Sequence, residues 1–262
     1  MNLIRMLALL LFALPAMAQR PIDFSAFDWP EDGNIVIPVA AGESLGGLAA
    51  ALDERTDGSI AVAFAEAAFT GEKDQSLTLF GIRPYARVDL IGVGSEPVGR
   101  VAAEDFGGLA AGLNDGASGT EVRILWSGID TKDDATAARV AFGYRLGDYR
   151  FDRYQQERLD PATRGSVTVF SDDADAKDRF DNDLAHVAAG VYLARDLSSE
   201  PGNVIYPQSF VERARDAFRG VDNVRLRVLD EDDLRRLGMG AHLGVGSGSA
   251  RPPRLLIVEY LA

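Results

Sequence analysis

Few residues in this sequence have a type and a spacing that suit catalysis. The chain has no cysteine, which excludes thiolate chemistry and cysteine-bound zinc. Its two histidines are His186 and His242, and neither lies in an H-E-x-x-H motif or another metal-ligand spacing. A packed or surface histidine is the more frequent role for each, although their number alone leaves a Ser-His-Asp triad open. The histidines therefore give no catalytic assignment.

The acidic residues form short groups that could bind metal ions, since two-metal hydrolases hold their ions mainly through Asp and Glu. Two such groups are the pair Asp172-Asp173 and the run from Asp230 to Asp233. Both lie at predicted helix starts or loops, where a carboxylate commonly caps a helix or faces solvent. We expect caps and solvated surface there. The sequence therefore assigns no catalytic, no cofactor-binding and no metal-binding residue.

Two glycine-rich segments could cradle a phosphate group. Residues 92–99 read GVGSEPVG between a predicted strand and a predicted helix, but their spacing differs from the dinucleotide-binding pattern and favours a tight turn. Residues 238–249 read GMGAHLGVGSGS and follow a predicted helix, which is the wrong order for a phosphate loop. Ser247 directly follows Gly246, so a G-x-S-x-G nucleophile motif is also missing there. A nucleotide-binding enzyme is therefore the least favoured hypothesis of function.

The elements that would position these residues alternate between short β-rich runs and Ala-rich segments with apolar residues three and four apart. The runs predict strands at residues 35–39, 60–64, 76–80, 88–93, 122–126 and 167–170. The Ala-rich segments predict helices at residues 45–55, 97–113 and 135–146. This order predicts an α/β fold in which helices cover a mostly buried sheet, with a first domain at residues 19–172.

A second domain is predicted at residues 173–262. An acidic stretch opens a long helix there, with residues 184, 187, 188, 191 and 195 on one face and the sequence EPG at 200–202 as its stop. Pro207 should begin a further helix, residues 224–229 a strand, and Asp230 a short capped helix that ends at Gly238. After a glycine-rich turn, residues 255–260 predict a last strand with no pairing partner following it.

Residues 1–18 have the composition of a cleaved secretory signal. Arg5 precedes an apolar run at residues 6–14, and the triplet AMA at 16–18 suits cleavage before Gln19. An uncleaved anchor or a buried helix is the alternative. No later stretch approaches the roughly 20 apolar residues that span a bilayer. We therefore expect a periplasmic or secreted protein that is not bound to a membrane after signal cleavage.

The amino-acid composition disfavours some classes of binding partner. The chain has 262 residues, 47% of them hydrophobic, which is enough for one large domain or for two that each bury a core. Its 40 acidic residues exceed its 27 basic ones, giving a formal net charge of −13. Such a surface repels nucleic acid and anionic lipid, so neither is expected as a partner.

Several sequence blocks agree in order with one known family. They are ARDLSSEPGN at 194–203, LGMG at 237–240, GVGSGS at 244–249 and PPRLLIVEY at 252–260. These blocks resemble A-R-D-L-x-N-x-P-x-N, L-G-M-G, G-x-G-S and P-P-R-L-x-x-L-E-Y at the opening of the leucyl aminopeptidase catalytic domain. Upstream, GYRLGDYRFDRY at 143–154 resembles the G-x-Y-x-F-D-x-Y block near the end of that family's N-terminal domain. Ser199 replaces a usual Asn and Gly202 a frequent second Pro, both in a turn.

The resemblance implies a macro-like N-terminal domain, a mixed sheet with helices on both faces, followed by the truncated start of an α/β aminopeptidase catalytic domain. For a full-length member it implies release of N-terminal residues from peptides by two divalent metal ions, Mn, Zn or Mg, in a homo-hexamer. In that family a lysine, several aspartates and a glutamate hold the metals, and an arginine and a second lysine assist. All of them follow the P-P-R-L-x-x-L-E-Y strand.

No position of this sequence matches those metal-binding and assisting residues. We therefore expect a fragment or a truncated reading frame that binds no metal and has no peptidase activity as given. The alternative is a non-catalytic protein that binds a small ligand or a partner through the macro-like domain.

Overall fold

The computed structural model describes residues 19–42, 45–95, 97–116, 120–156 and 163–261. The predicted signal at residues 1–18 lies outside this range. The chain divides into two compact units, one ending at Tyr192 and the other beginning at Leu193. In the described part of the chain, no helix is both long enough and apolar enough to cross a membrane.

The first unit contains a six-stranded, mostly parallel sheet. Its strands are β1 (Ile22–Ala26), β2 (Gly33–Ala40), β3 (Ser76–Phe80), β4 (Tyr85–Gly94), β5 (Val122–Trp126) and β6 (Val167–Ser171). They lie in the order β1-β6-β5-β2-β4-β3, and only β3 runs antiparallel to its neighbour. The predicted α/β fold with a mixed sheet is confirmed.

Helices pack on both faces of this sheet because its central strands are apolar on both sides. Ile35 and Ile37 of β2 pack with the helices α1 (Gly47–Arg55) and α2 (Ser59–Glu66). Val36 points to the opposite face, where it packs with α3 (Arg100–Leu113) and α4 (Thr136–Gly147). Successive strand residues point to opposite faces, so a continuous apolar run such as β2 needs a helical layer on each side.

The helices α3 and α4 approach each other closely through glycines. A Cβ built on Gly107 would lie 2.0 Å from the carbonyl oxygen of Val140. One built on Gly143 would lie 1.9 Å from the carbonyl oxygen of Glu104. No side chain fits at either position without separating the helices, so glycine is a packing requirement here.

One predicted strand is wrong. Residues 60–64 lie inside α2, where Ile60 is fully buried and Val62 is 58% exposed. The alternation of apolar residues and alanines suits a strand only over a short window, and the surrounding alanines favour a helix. Ile60 and Phe64, four residues apart, face inward on that helix, and Phe64 packs edge-on against Phe69 with ring centroids 5.2 Å apart. The structure also contains β1, which the sequence did not predict.

The predicted long helix is present, with an irregular turn inside it. It consists of α5 (Ala176–Arg179), a π-helical turn (Phe180–Leu184) and α6 (Ala185–Ser199). Leu184 and Ala188 are buried as predicted, whereas Val187 is 53% exposed. Leu184 and Ala188 lie four residues apart on the inward side of the helix, whereas Val187 lies beside them, so the buried face is narrower than the sequence pattern predicts.

The second unit continues with α7 (Pro207–Ala217), β7 (Val224–Leu229), α8 (Glu231–Arg236), α9 (Gly240–Gly246) and β8 (Leu255–Tyr260). The predicted helix from Pro207, both strands and the Asp230 cap are confirmed. One expectation, that of an irregular glycine-rich turn, is corrected, and the pairing of the last strand is now known. The glycine-rich turn contains the short helix α9, and β8 has a partner, since it pairs antiparallel with β7 from Leu229↔Leu255 to Val224↔Tyr260. That partner precedes it in the chain.

Candidate functional site

The two histidines lie in different surroundings. His186 is exposed on α6. His242 is partly buried on α9, and its Nε2 lies 3.3 Å from the carbonyl oxygen of Arg254. A contact with a carbonyl oxygen requires that nitrogen to donate, so His242 acts as a packing group that ties α9 to the start of β8.

The acidic run at 230–233 caps α8, as the sequence predicted. The Asp230 carboxylate accepts a 2.9 Å hydrogen bond from the backbone N–H of Asp233, and the Asp233 side chain reciprocates towards the Asp230 N–H. The N–H donors lower the pKa of Asp230, with the Asp233 N–H as the main cause. Asp232 pairs with Arg235 at 2.7 Å. These carboxylates are engaged in the helix itself.

The other acidic pair lies after β6. Asp172 accepts a hydrogen bond from the Ser127 hydroxyl, and Asp173 forms a 2.9 Å ion pair with Arg179. Within the described ranges, no group of three or more His, Asp or Glu residues could hold a metal ion. The described residues therefore do not fit a two-metal centre.

In the glycine turn at 92–99, three backbone N–H groups donate to carbonyl oxygens elsewhere in the chain. The N–H of Gly92 donates to Gln75 O at 2.9 Å, that of Gly94 to Gly71 O at 3.0 Å, and that of Val98 to Asp130 O at 2.8 Å. A phosphate cradle needs backbone N–H groups that point at the ligand. A Cβ on Gly92 would lie 2.1 Å from the carbonyl oxygen of Glu72, so this glycine serves a close backbone approach. The structure thus favours the tight turn over nucleotide binding.

In the second unit, two of the sequence blocks that carry the family resemblance contact each other. Arg251, just before PPRLLIVEY, donates to Gly202 O at 3.1 Å and lies over the Tyr206 ring at 3.8 Å from its centroid. Arg254 donates to the Gln208 side chain at 3.3 Å. Blocks about 50 residues apart in sequence therefore support the start of β8.

We name this arrangement the β8 support: Gly202, Tyr206, Gln208, His242, Arg251 and Arg254. Two further contacts lie beside it. A Cβ on Gly246 would lie 2.8 Å from the Pro253 side chain, so α9 packs directly on the segment that precedes β8. Glu200, whose side chain is 1% exposed, lies 3.6 Å from Arg213 of α7. The support holds the start of β8 against α9 and against the turn at Gly202.

Sequence reasoning missed a buried charge cluster in the first unit. The side chains of Arg20, Asp148 and Arg164 are only 1–2% exposed. Arg164 Nη1 donates to Asp148 Oδ2 at 3.1 Å, and Arg20 Nε lies 3.7 Å from Asp148 Oδ1. Burial raises the pKa of Asp148, against the opposing effect of the Arg164 and Arg20 charges. The one available signal was the block at 143–154, which contains Asp148.

Arg20 of this cluster, together with Arg87 and Arg150, binds the backbone at the end of α3. Three successive carbonyl oxygens accept from guanidinium groups: Leu113 from Arg87 at 2.8 Å, Asn114 from Arg20 at 2.8 Å, and Asp115 from Arg150 at 3.2 Å. The last carbonyls of a helix have no intrahelical partner and carry partial negative charge, so cations stabilise them. This role is structural.

Comparison with known proteins matches both units in order. The model of the cytosol aminopeptidase family, N-terminal domain, matches residues 36–158, and that of the catalytic domain of the same family matches residues 192–262. The chain belongs to the cytosol aminopeptidase family. The resemblance seen in the sequence blocks is thereby confirmed.

Curated relatives bear the name of the same family. A probable cytosol aminopeptidase of Bradyrhizobium sp. is 38% identical over 237 residues, covering 87% of this chain and 45% of the relative. One of Caulobacter vibrioides is 33% identical over 249 residues, covering 92% of this chain and 49% of the relative. The chain thus spans about half the length of these relatives.

Solved structures show the same fold. A tomato leucine aminopeptidase mutant superposes with a TM-score of 0.79 at 22% identity, covering 93% of this chain and 51% of that one. The bottromycin maturation enzyme BotP, in complex with Mn, gives a TM-score of 0.61 at 22% identity, covering 87% of this chain and 45% of that one. The expected arrangement, an N-terminal domain followed by the start of a catalytic domain, is confirmed at the level of fold.

The predicted location is wrong. The relatives are named cytosol aminopeptidases, which points to a cytoplasmic location and contradicts the periplasmic or secreted one inferred from residues 1–18. A positive charge followed by a short apolar run and small residues is a matter of composition. Other N-terminal segments share that composition, so the pattern does not fix a destination.

Proposed function

We propose that the whole protein releases N-terminal residues from peptides as a leucyl-type aminopeptidase with two divalent metal ions, and that the described residues supply its N-terminal domain and the opening of its catalytic domain. The observation that carries this proposal is the order of the two family matches, residues 36–158 and then 192–262, along one chain. The domain limits 19–172 and 173–262 stay a prediction.

The role of this part of the protein is to position β8. In the family that the sequence resembles, the metal ligands follow the strand that corresponds to β8. Arg251 and Arg254 tie the beginning of this strand to the turn at Gly202 and to α7. An ångström of displacement at a reacting centre can cost about a hundredfold in rate, so a strand that leads into such a centre has to be held firmly.

We further propose that residues 1–262 alone do not hydrolyse peptides, and that metal binding and a homo-hexamer belong to the complete protein. Manganese, zinc and magnesium are the metals expected. The complex of BotP with Mn, a structural neighbour, supports manganese as the first metal to try.

The test uses the protein purified from its native source. Its intact mass is compared with that of the 262-residue chain, 28.2 kDa, and its activity on leucine p-nitroanilide is measured with EDTA and after addition of Mn²⁺. The proposal expects a mass near twice that value and activity that EDTA abolishes and Mn²⁺ restores. The recombinant 262-residue chain serves as the inactive control.

A native mass equal to that of the chain, without hydrolysis and with a melting temperature unchanged by Mn²⁺, would overturn the proposal. A ligand that binds only the folded state raises the melting temperature, so an unchanged value would mean that the protein does not bind Mn²⁺. That result would support the alternative, a non-catalytic binding protein.

A further inference from the structure

We draw no further inference here: the strongest candidate, the edge of the six-stranded sheet at the carboxyl ends of β2, β4 and β5, where α1 and α3 begin without side-chain caps and Ser127 bonds to Asp172, rests on helix N-termini with no second observation that points to a ligand.

Discussion

Gly143 of α4 faces the carbonyl oxygen of Glu104 in α3 so closely that a Cβ atom on Gly143 would lie 1.9 Å from that oxygen. The two helices are thus held at a separation that only glycine permits. They cover one face of the sheet, so their spacing sets how the core beneath them packs.

Replacing this glycine should destabilise the first unit. We expect Gly143→Ala to lower the free energy of unfolding by about 1–3 kcal/mol, because the helices must separate or shift to admit the methyl group. The matched control is Gly112→Ala at an exposed position of α3, where a Cβ meets nothing within 4 Å. It should gain up to about 1 kcal/mol from helix propensity. Urea unfolding followed by circular dichroism measures both; equal effects of the two variants would contradict the close approach.

The buried ion pairs give a second prediction. Asp148→Asn leaves Arg20 and Arg164 buried without their shared carboxylate, and we expect a loss of about 3 kcal/mol or more in the free energy of unfolding. Asp115→Asn is the control, since that side chain is 49% exposed and its ion pairs with Arg150 and Arg164 are open to solvent on the carboxylate side. Exposed pairs contribute about 0–1 kcal/mol. Denaturant titration compares them, and a loss for Asp148→Asn as small as that of the control would refute the interpretation.

Loss of the hydroxyl group should change the free energy of unfolding in opposite directions at two buried tyrosines. Tyr144 is fully buried, and its hydroxyl has no hydrogen-bond partner among the described residues. Burial also raises its pKa. The hydroxyl of Tyr192, in contrast, donates to the carbonyl oxygen of Arg145.

We therefore expect Tyr144→Phe to raise the free energy of unfolding by about 1 kcal/mol, because it removes an unsatisfied polar group. Tyr192→Phe should lower it by about 1 kcal/mol, because it leaves a carbonyl without its donor. Thermal melts of both variants and the wild type at one pH measure these changes. A destabilising Tyr144→Phe would show that its hydroxyl is bonded in solution.

The Asp230 cap should make stability depend on pH. Its folded pKa lies below the unfolded one, so its ionised form stabilises α8 above the unfolded pKa, and that contribution is lost as pH falls through the folded pKa. Asn also caps helices but does not titrate. The melting temperature of Asp230→Asn should therefore fall less than that of the wild type between neutral pH and about pH 3. Parallel curves for the two proteins would count against the cap.

The last prediction rests on the proposed function and concerns the complete protein. Arg251→Gln removes the contacts with Gly202 and the Tyr206 ring, and we expect kcat to fall about tenfold or more with little change in KM, through displacement of β8. Arg227→Gln on the exposed side of β7 is the control and should leave kcat unchanged. A melting curve shows that both variants fold; an unchanged kcat for Arg251→Gln would exclude Arg251 as a positioning residue.

The sequence predicted the elements that depend on neighbouring residues and missed those that depend on distant contacts. The run at 122–126 is a strand because its apolar residues are buried on both faces, and Asp230 caps α8 through residues within three positions of it. β1 was missed because it is half exposed and becomes a strand only by pairing with β6. The charge cluster escaped for the same reason, since Arg20 and Asp148 are brought together by the fold and share no sequence pattern.

The parallel pairing of β1 with β6 also affects how the chain can fold during synthesis. Ile22 lies opposite Val167, which is made 145 residues later. At about 5–20 residues per second, the ribosome needs roughly 7–30 seconds to deliver the partner strand. Until then β1 lacks the strand with which it pairs, so this part of the sheet cannot form before β6 has been made.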